Sequence, residues 1–133
     1  MKIILNLENL EIATTYLFGG VKYLDLLLLL SLVDILTGVV KAAKEGNLRS
    51  KNAWFGYVRK FFSFAVVILA NIIDQIANLG GALVFSTVLF YIANEGLSIL
   101  ENLAQMGVKI PSFIKDRLQV IEKDTEDKNG GNE

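Results

Sequence analysis

The stretch LDLLLLLSLVDILTGVV, Leu24 to Val40, decides the fold. It is almost wholly apolar, holds no proline, and approaches the ~20 helical residues that cross ~30 Å of hydrocarbon. Two later stretches match it: FFSFAVVILANIIDQIANL, Phe61 to Leu79, and ALVFSTVLFYIANEGLSIL, Ala82 to Leu100. Each carries a few acidic or amide side chains in otherwise greasy surroundings. In lipid the backbone must satisfy its own hydrogen bonds, and runs of this length do so as helices. The expected fold class is therefore all-α: an integral membrane protein with three transmembrane helices at about 24–40, 61–79 and 82–100.

The composition points the same way, with 53% hydrophobic residues and a mean hydropathy of +0.46. The single proline, Pro111, lies beyond the last apolar stretch and leaves all three helices unbroken. The absence of cysteine and histidine removes disulfides, thiol nucleophiles, the usual zinc ligands and the commonest general base. No phosphate loop, metal cluster or nucleophile–base pair is present, so neither an enzyme nor a resident cofactor is expected. Thirteen basic residues against fourteen acidic ones provide no basic surplus for nucleic acid.

Outward from these stretches, Met1 to Val21 is mixed. Ile3, Ile4, Leu7, Leu10, Thr14, Leu17 and Phe18 recur at helical spacing, while Asn6, Glu8, Glu11 and Thr15 fall opposite. This predicts an amphipathic helix, ended by Gly19 and Gly20; Glu8 and Glu11 interrupt the apolar core that a secretory signal needs. An alternative makes this segment a fourth, shallow membrane element. Between the first two spans lie Lys41, Lys44, Arg49, Lys51, Arg59 and Lys60 against the single Glu45. The positive-inside rule assigns that loop to the cytoplasm, with Trp54 and Tyr57 as interfacial anchors. Asn78 to Gly81 is short enough to force an antiparallel hairpin between the second and third spans, and the amino terminus then falls outside and the carboxyl terminus in the cytoplasm. Beyond Glu101, the residues Val108, Ile110, Phe113, Ile114, Leu118 and Ile121 make a short apolar face, and Glu122 to Glu133 is polar enough to be disordered. The expected organisation is an amphipathic segment at 1–21, a transmembrane domain at 22–107 and a cytoplasmic tail at 108–133.

Asp34, Asp74 and Glu95 fall one in each span, where an ionised carboxylate costs ~2.5–3.5 kcal/mol. Helical spacing extends each into a stripe: Ser31, Asp34, Gly38 and Lys41; Asn71, Asp74 and Asn78; Thr87, Tyr91, Asn94, Glu95 and Ser98. Within one chain the three stripes can face one another. Three helices enclose little volume, however, and would crowd the carboxylates, so pairing with copies of the chain or lining water is favoured. Antiparallel crossings put Asp34 and Glu95 together in the inner half of the bilayer, within reach of one another or of Lys41, and Asp74 in the outer half. The Phe61, Phe62 and Phe64 rings read as lipid-facing filler.

The order of these features resembles a known family. LLSLVDILTGVVKA (Leu29 to Ala42), a basic loop with Ser50, Lys51 and Gly56, Asp74 in the second span, and YIANEGLSILENLAQMGVKIP (Tyr91 to Pro111) together resemble the bacteriophage holin family, which also includes clostridial toxin-secretion holins. The resemblance runs from about Tyr23 to Leu118. It implies a protein of the bacterial inner membrane that forms homo-oligomers in the lipid bilayer and opens lesions at a set time. Through them an endolysin, a functional partner without direct binding, or a toxin leaves the cytoplasm. Carried over to matching positions, it singles out Asp34, Thr37, Gly38, Asn94, Glu95 and Gly96; with Asn71, Asp74 and Ser98 these are the candidates for pore lining or assembly. Two rival classes fit parts of the pattern: a small ion- or proton-coupled transporter or channel subunit, with the three carboxylates as its ion site, and a non-conducting scaffold or helical bundle.

Overall fold

Each apolar stretch becomes a helix longer than itself, because polar flanks continue the helix beyond the apolar run. The computed structural model describes residues 7–46 and 51–129, without the side chains of 52 and 127–129. Within them the chain forms α1 (Leu7–Phe18), α2 (Leu24–Glu45), α3 (Lys51–Ala77), α4 (Ala82–Gln105) and α5 (Ser112–Asn129), and no strand. Three segments are long and apolar enough to cross a membrane: Leu24–Glu45, Ala53–Ala77 and Ala82–Gln105. The all-α, three-span expectation holds.

The breaks have local causes. Gly46 takes a left-handed conformation and closes α2 by donating its N–H to the carbonyls of Ala42 and Ala43. Between α3 and α4, Asn78, Gly80 and Gly81 take φ of 53°, 66° and 89°. Three such residues in four reverse the chain at once, and glycine is the residue that adopts them without strain.

α4 is the central helix, against which α2, α3 and α5 all pack, while α1 packs against α3. Leu27, Val67, Ala70, Val84 and Val88 form the small core where α2, α3 and α4 meet. Outside it the surface is greasy: Leu28, Leu29, Leu32 and Leu36 on α2, and Phe61, Phe62, Leu69 and Ile76 on α3, are all exposed. Ser31 and Asp34 are meanwhile buried. Polar residues inward and leucines outward is the arrangement a helix adopts when its solvent is lipid.

α1 is held by its carboxyl end. Asn71 Nδ2 donates to the carbonyls of Leu17 at 3.0 Å and Tyr16 at 3.4 Å, and Phe18 meets Phe64 edge to face at 6.4 Å. At Gly19, where φ is +71°, a β-carbon would lie 2.3 Å from Asn71 Oδ1, so only glycine admits this close approach.

The last helix departs from expectation. Order extends past Glu122, and α5 runs to Asn129, folded back along α4 rather than lying free. Leu118, half-buried, sits over Gly96, where an added β-carbon would lie 2.9 Å from its Cδ1. Ile114, Leu118, Ile121 and Thr125 recur at helical spacing, and the buried Thr125 hydroxyl is satisfied by the carbonyls of Ile121 and Glu122.

Candidate functional site

The inward-facing polar residues gather in one cluster between α2, α3 and α4. Asp34, only 2% exposed, is its centre. Lys60 Nζ on α3 pairs with Asp34 Oδ2 and lies 3.4 Å from Glu95 Oε2. On α4, Ser98 Oγ donates to Asp34 Oδ1 at 2.8 Å, and Asn102 Nδ2 donates to the same oxygen and to Thr37 Oγ1, both at 3.0 Å. Thr37 Oγ1 in turn donates to the Asp34 carbonyl at 3.1 Å. Two carboxylates, one ammonium, two hydroxyls and an amide therefore saturate one another, and no buried side-chain nitrogen or oxygen among the described residues lacks a partner.

This corrects the sequence argument at one point. Asp34 and Glu95 do come together, but the cation between them is Lys60, not Lys41. Lys60 was expected in the cytoplasmic basic loop; its long stem lets the ammonium turn inward to the acids instead. Crowding of carboxylates, which favoured pairing between copies, is thus relieved inside a single chain. Lys60 and Asn102 are the members that sequence reasoning missed. Asn102 had a signal, since it follows Glu95 and Ser98 by seven and four residues on one helix face.

The remaining candidates separate into other tasks. Asp74 caps α4: Gly81 N–H donates to Oδ1 at 2.7 Å, and Leu83 and Val84 N–H to Oδ2 at 2.9 and 3.0 Å. A carboxylate here satisfies amides that have no partner within the helix and complements its dipole. Asn71 is committed to α1. Gly38 has ordinary space, its nearest neighbour to an added β-carbon being Asn102 Nδ2 at 3.7 Å. Gly96 is buried under Leu118, and Asn94, one turn before Ser98, is exposed and makes no hydrogen bond to the cluster. Lys44, Lys51, Trp54 and Arg59 are exposed near the α2–α3 loop, with Lys41 half-buried. Arg49 lies outside the described residues.

With its polar groups all hydrogen-bonded and no group of three or more metal-ligating side chains among the described residues, the cluster ties three helices together. Comparison with known proteins gives it a context. The model of the bacteriophage holin family matches residues 12–123. A "probable holin" of Bacillus phage phi105 is 66% identical over 124 residues, covering 93% of this chain and 92% of the phage protein. The protein YqxH of Bacillus subtilis (strain 168) is 68% identical over 122 residues, 92% of this chain and 87% of the relative. A protein of Clostridium perfringens (strain 13 / Type A) is 37% identical over 110 residues, 80% of this chain and 81% of that one. No solved structure matches. A match that runs from within α1 through all three membrane-length helices into α5 leaves one conclusion: the chain belongs to the bacteriophage holin family.

Proposed function

We propose that this protein accumulates in the cytoplasmic membrane of a bacterial host, self-associates there, and at a set time opens lesions through which an endolysin leaves the cytoplasm. In toxin-secreting relatives the cargo would be a toxin. The observation that carries the proposal is a holin-family chain with three membrane-length helices whose polar side chains are turned inward around α4. The action is non-enzymatic. In the closed state Asp34, Lys60, Glu95, Ser98 and Asn102 pair and hydrogen-bond with one another out of contact with lipid; opening separates the helices and turns those groups toward water, which hydrates them in place of their protein partners. Six basic residues between Lys41 and Lys60 favour a cytoplasmic α2–α3 loop, an outer amino terminus and an inner carboxyl terminus. The endolysin need not touch the chain, since a hole admits it by size.

The buried ion cluster is also what a coupled ion transporter would need, and one experiment separates the two. The protein is expressed inducibly in a bacterium, with and without an endolysin lacking an export signal of its own, while membrane potential and optical density are followed. Abrupt depolarisation followed by endolysin-dependent lysis is the expected course. Continued growth at full expression, with a selective ion flux, would assign the protein to transport instead.

A further inference from the structure

Most polar side chains in the middle of the three spans have a partner within the chain. Asp34 and Glu95 have Lys60; Ser31, Ser63 and Thr37 donate to the carbonyls of Leu27, Lys60 and Asp34. Asn94 is exposed, and among the described residues no hydrogen bond holds its side chain. It sits near the middle of α4, which runs from Ala82 to Gln105, and even Glu101, near the watered end, is about 10 Å along at 1.5 Å per residue. A side chain as short as asparagine cannot reach water over that distance, and lipid tails offer it neither donor nor acceptor.

We propose that the face of α4 bearing Asn94 is the surface on which a second copy of this chain docks in the bilayer. The inference rests on the self-association in the function proposed above and names its surface. Three observations select the occupant. α2 and α3 pack against other sides of α4, while Asn94 and Glu101 are exposed on this one. Copies inserted by the same route share one orientation, so equal residues lie at equal depth and Asn94 meets Asn94. The amide carries two donors and an acceptor, so two of them related by a two-fold axis along the membrane normal satisfy each other. Phe90 and Leu97, half-buried one turn to either side, supply apolar contact above and below the amide pair. Glu101, further along the same face, falls near the end of the helix, where water reaches it. The carboxylate cluster, by contrast, is enclosed and takes no part in the docking.

The natural absence of cysteine makes the test clean. Full-length single-cysteine variants Phe90→Cys, Leu97→Cys and, on the outward face of α2, Leu36→Cys are reconstituted in phosphatidylethanolamine–phosphatidylglycerol vesicles and oxidised. Phe90→Cys and Leu97→Cys should form disulfide dimers and Leu36→Cys should not. In parallel, energy transfer between labelled chains should show Asn94→Leu weakening association about three- to thirty-fold and Asn94→Gln restoring most of it, with helix content unchanged because the residue is exposed. Association that is unaffected by Asn94→Leu and cross-links through Leu36→Cys overturns this surface while leaving self-association standing. A chain that stays monomeric at every density overturns self-association and the surface together. Cross-linking only to a different protein, in native membranes and never between purified chains, also overturns it.

Discussion

Asp34 and Glu95 share the ammonium of Lys60, and the three residues come from three different helices. Removing Lys60 leaves two enclosed acids without their cation, and breaking a buried pair in this way costs about 3–5 kcal/mol. Lys60→Met should therefore sharply lower the thermal unfolding temperature in detergent and the amount of protein retained in membranes. Adding Asp34→Asn and Glu95→Gln to it should recover most of the loss, because the neutral set fills the same space without stranded charge. If Lys60→Met alone unfolds at the wild-type temperature, the cluster does not hold the helices. Asp74 predicts a more local outcome. Asp74→Ala strands the amides of Gly81, Leu83 and Val84 and should cost about 1–2 kcal/mol, read as faster hydrogen exchange confined to the first turn of α4. The acids were visible in the sequence because a carboxylate in an apolar run is conspicuous. Lys60 was not, since beside Arg59 at the end of a basic loop it matches a headgroup anchor, and only the register of α3 against α2 and α4 turns it inward.

At the scale of elements, the three spans and the hairpin were legible because their signals are local: length, apolarity, and Asn78 to Gly81 as a turn. α5 was not, because its composition reads as a tail and its docking depends on a distant notch at Gly96. The position of α5 sets up a contest that magnitudes decide. Lys115, Asp116, Arg117, Lys123, Asp124 and Glu126 are all exposed while α5 lies along α4. Where α4 is immersed in hydrocarbon, each basic or aspartate side chain brought to the bilayer centre costs about 2.5–3.5 kcal/mol. The Leu118–Gly96 contact offsets at most about 1.5–3 kcal/mol, the worth of one buried leucine. Charge wins, so α5 should part from α4 in a bilayer and lie at the aqueous surface. In vesicles open to reagent on both faces, Leu118→Cys should then react with a charged maleimide as fast as Lys123→Cys does. Strong protection of Leu118→Cys would mean that α5 stays on α4.

For the whole molecule, the decisive property is that the outer surface of its three spans is mostly apolar and their carboxylates are enclosed. One chain therefore offers no hydrophilic wall, and a hole large enough for a protein needs many chains that each turn a polar side to water at the cost of their internal pairs. Opening should be a threshold event in surface density rather than a sum of independent leaks. Vesicles loaded with a small dye and with graded dextrans, reconstituted at rising protein-to-lipid ratios, should retain everything up to a critical ratio and then release small and protein-sized cargo together. The variant carrying Asp34→Asn, Glu95→Gln and Lys60→Met keeps the fold but gives the hole a less hydrophilic edge, so its threshold should move to a higher ratio. Leakage that grows in proportion to protein, passes the dye and holds back every dextran would mean that each chain, or each small fixed assembly, conducts by itself, and the collective opening inferred for this holin would be wrong.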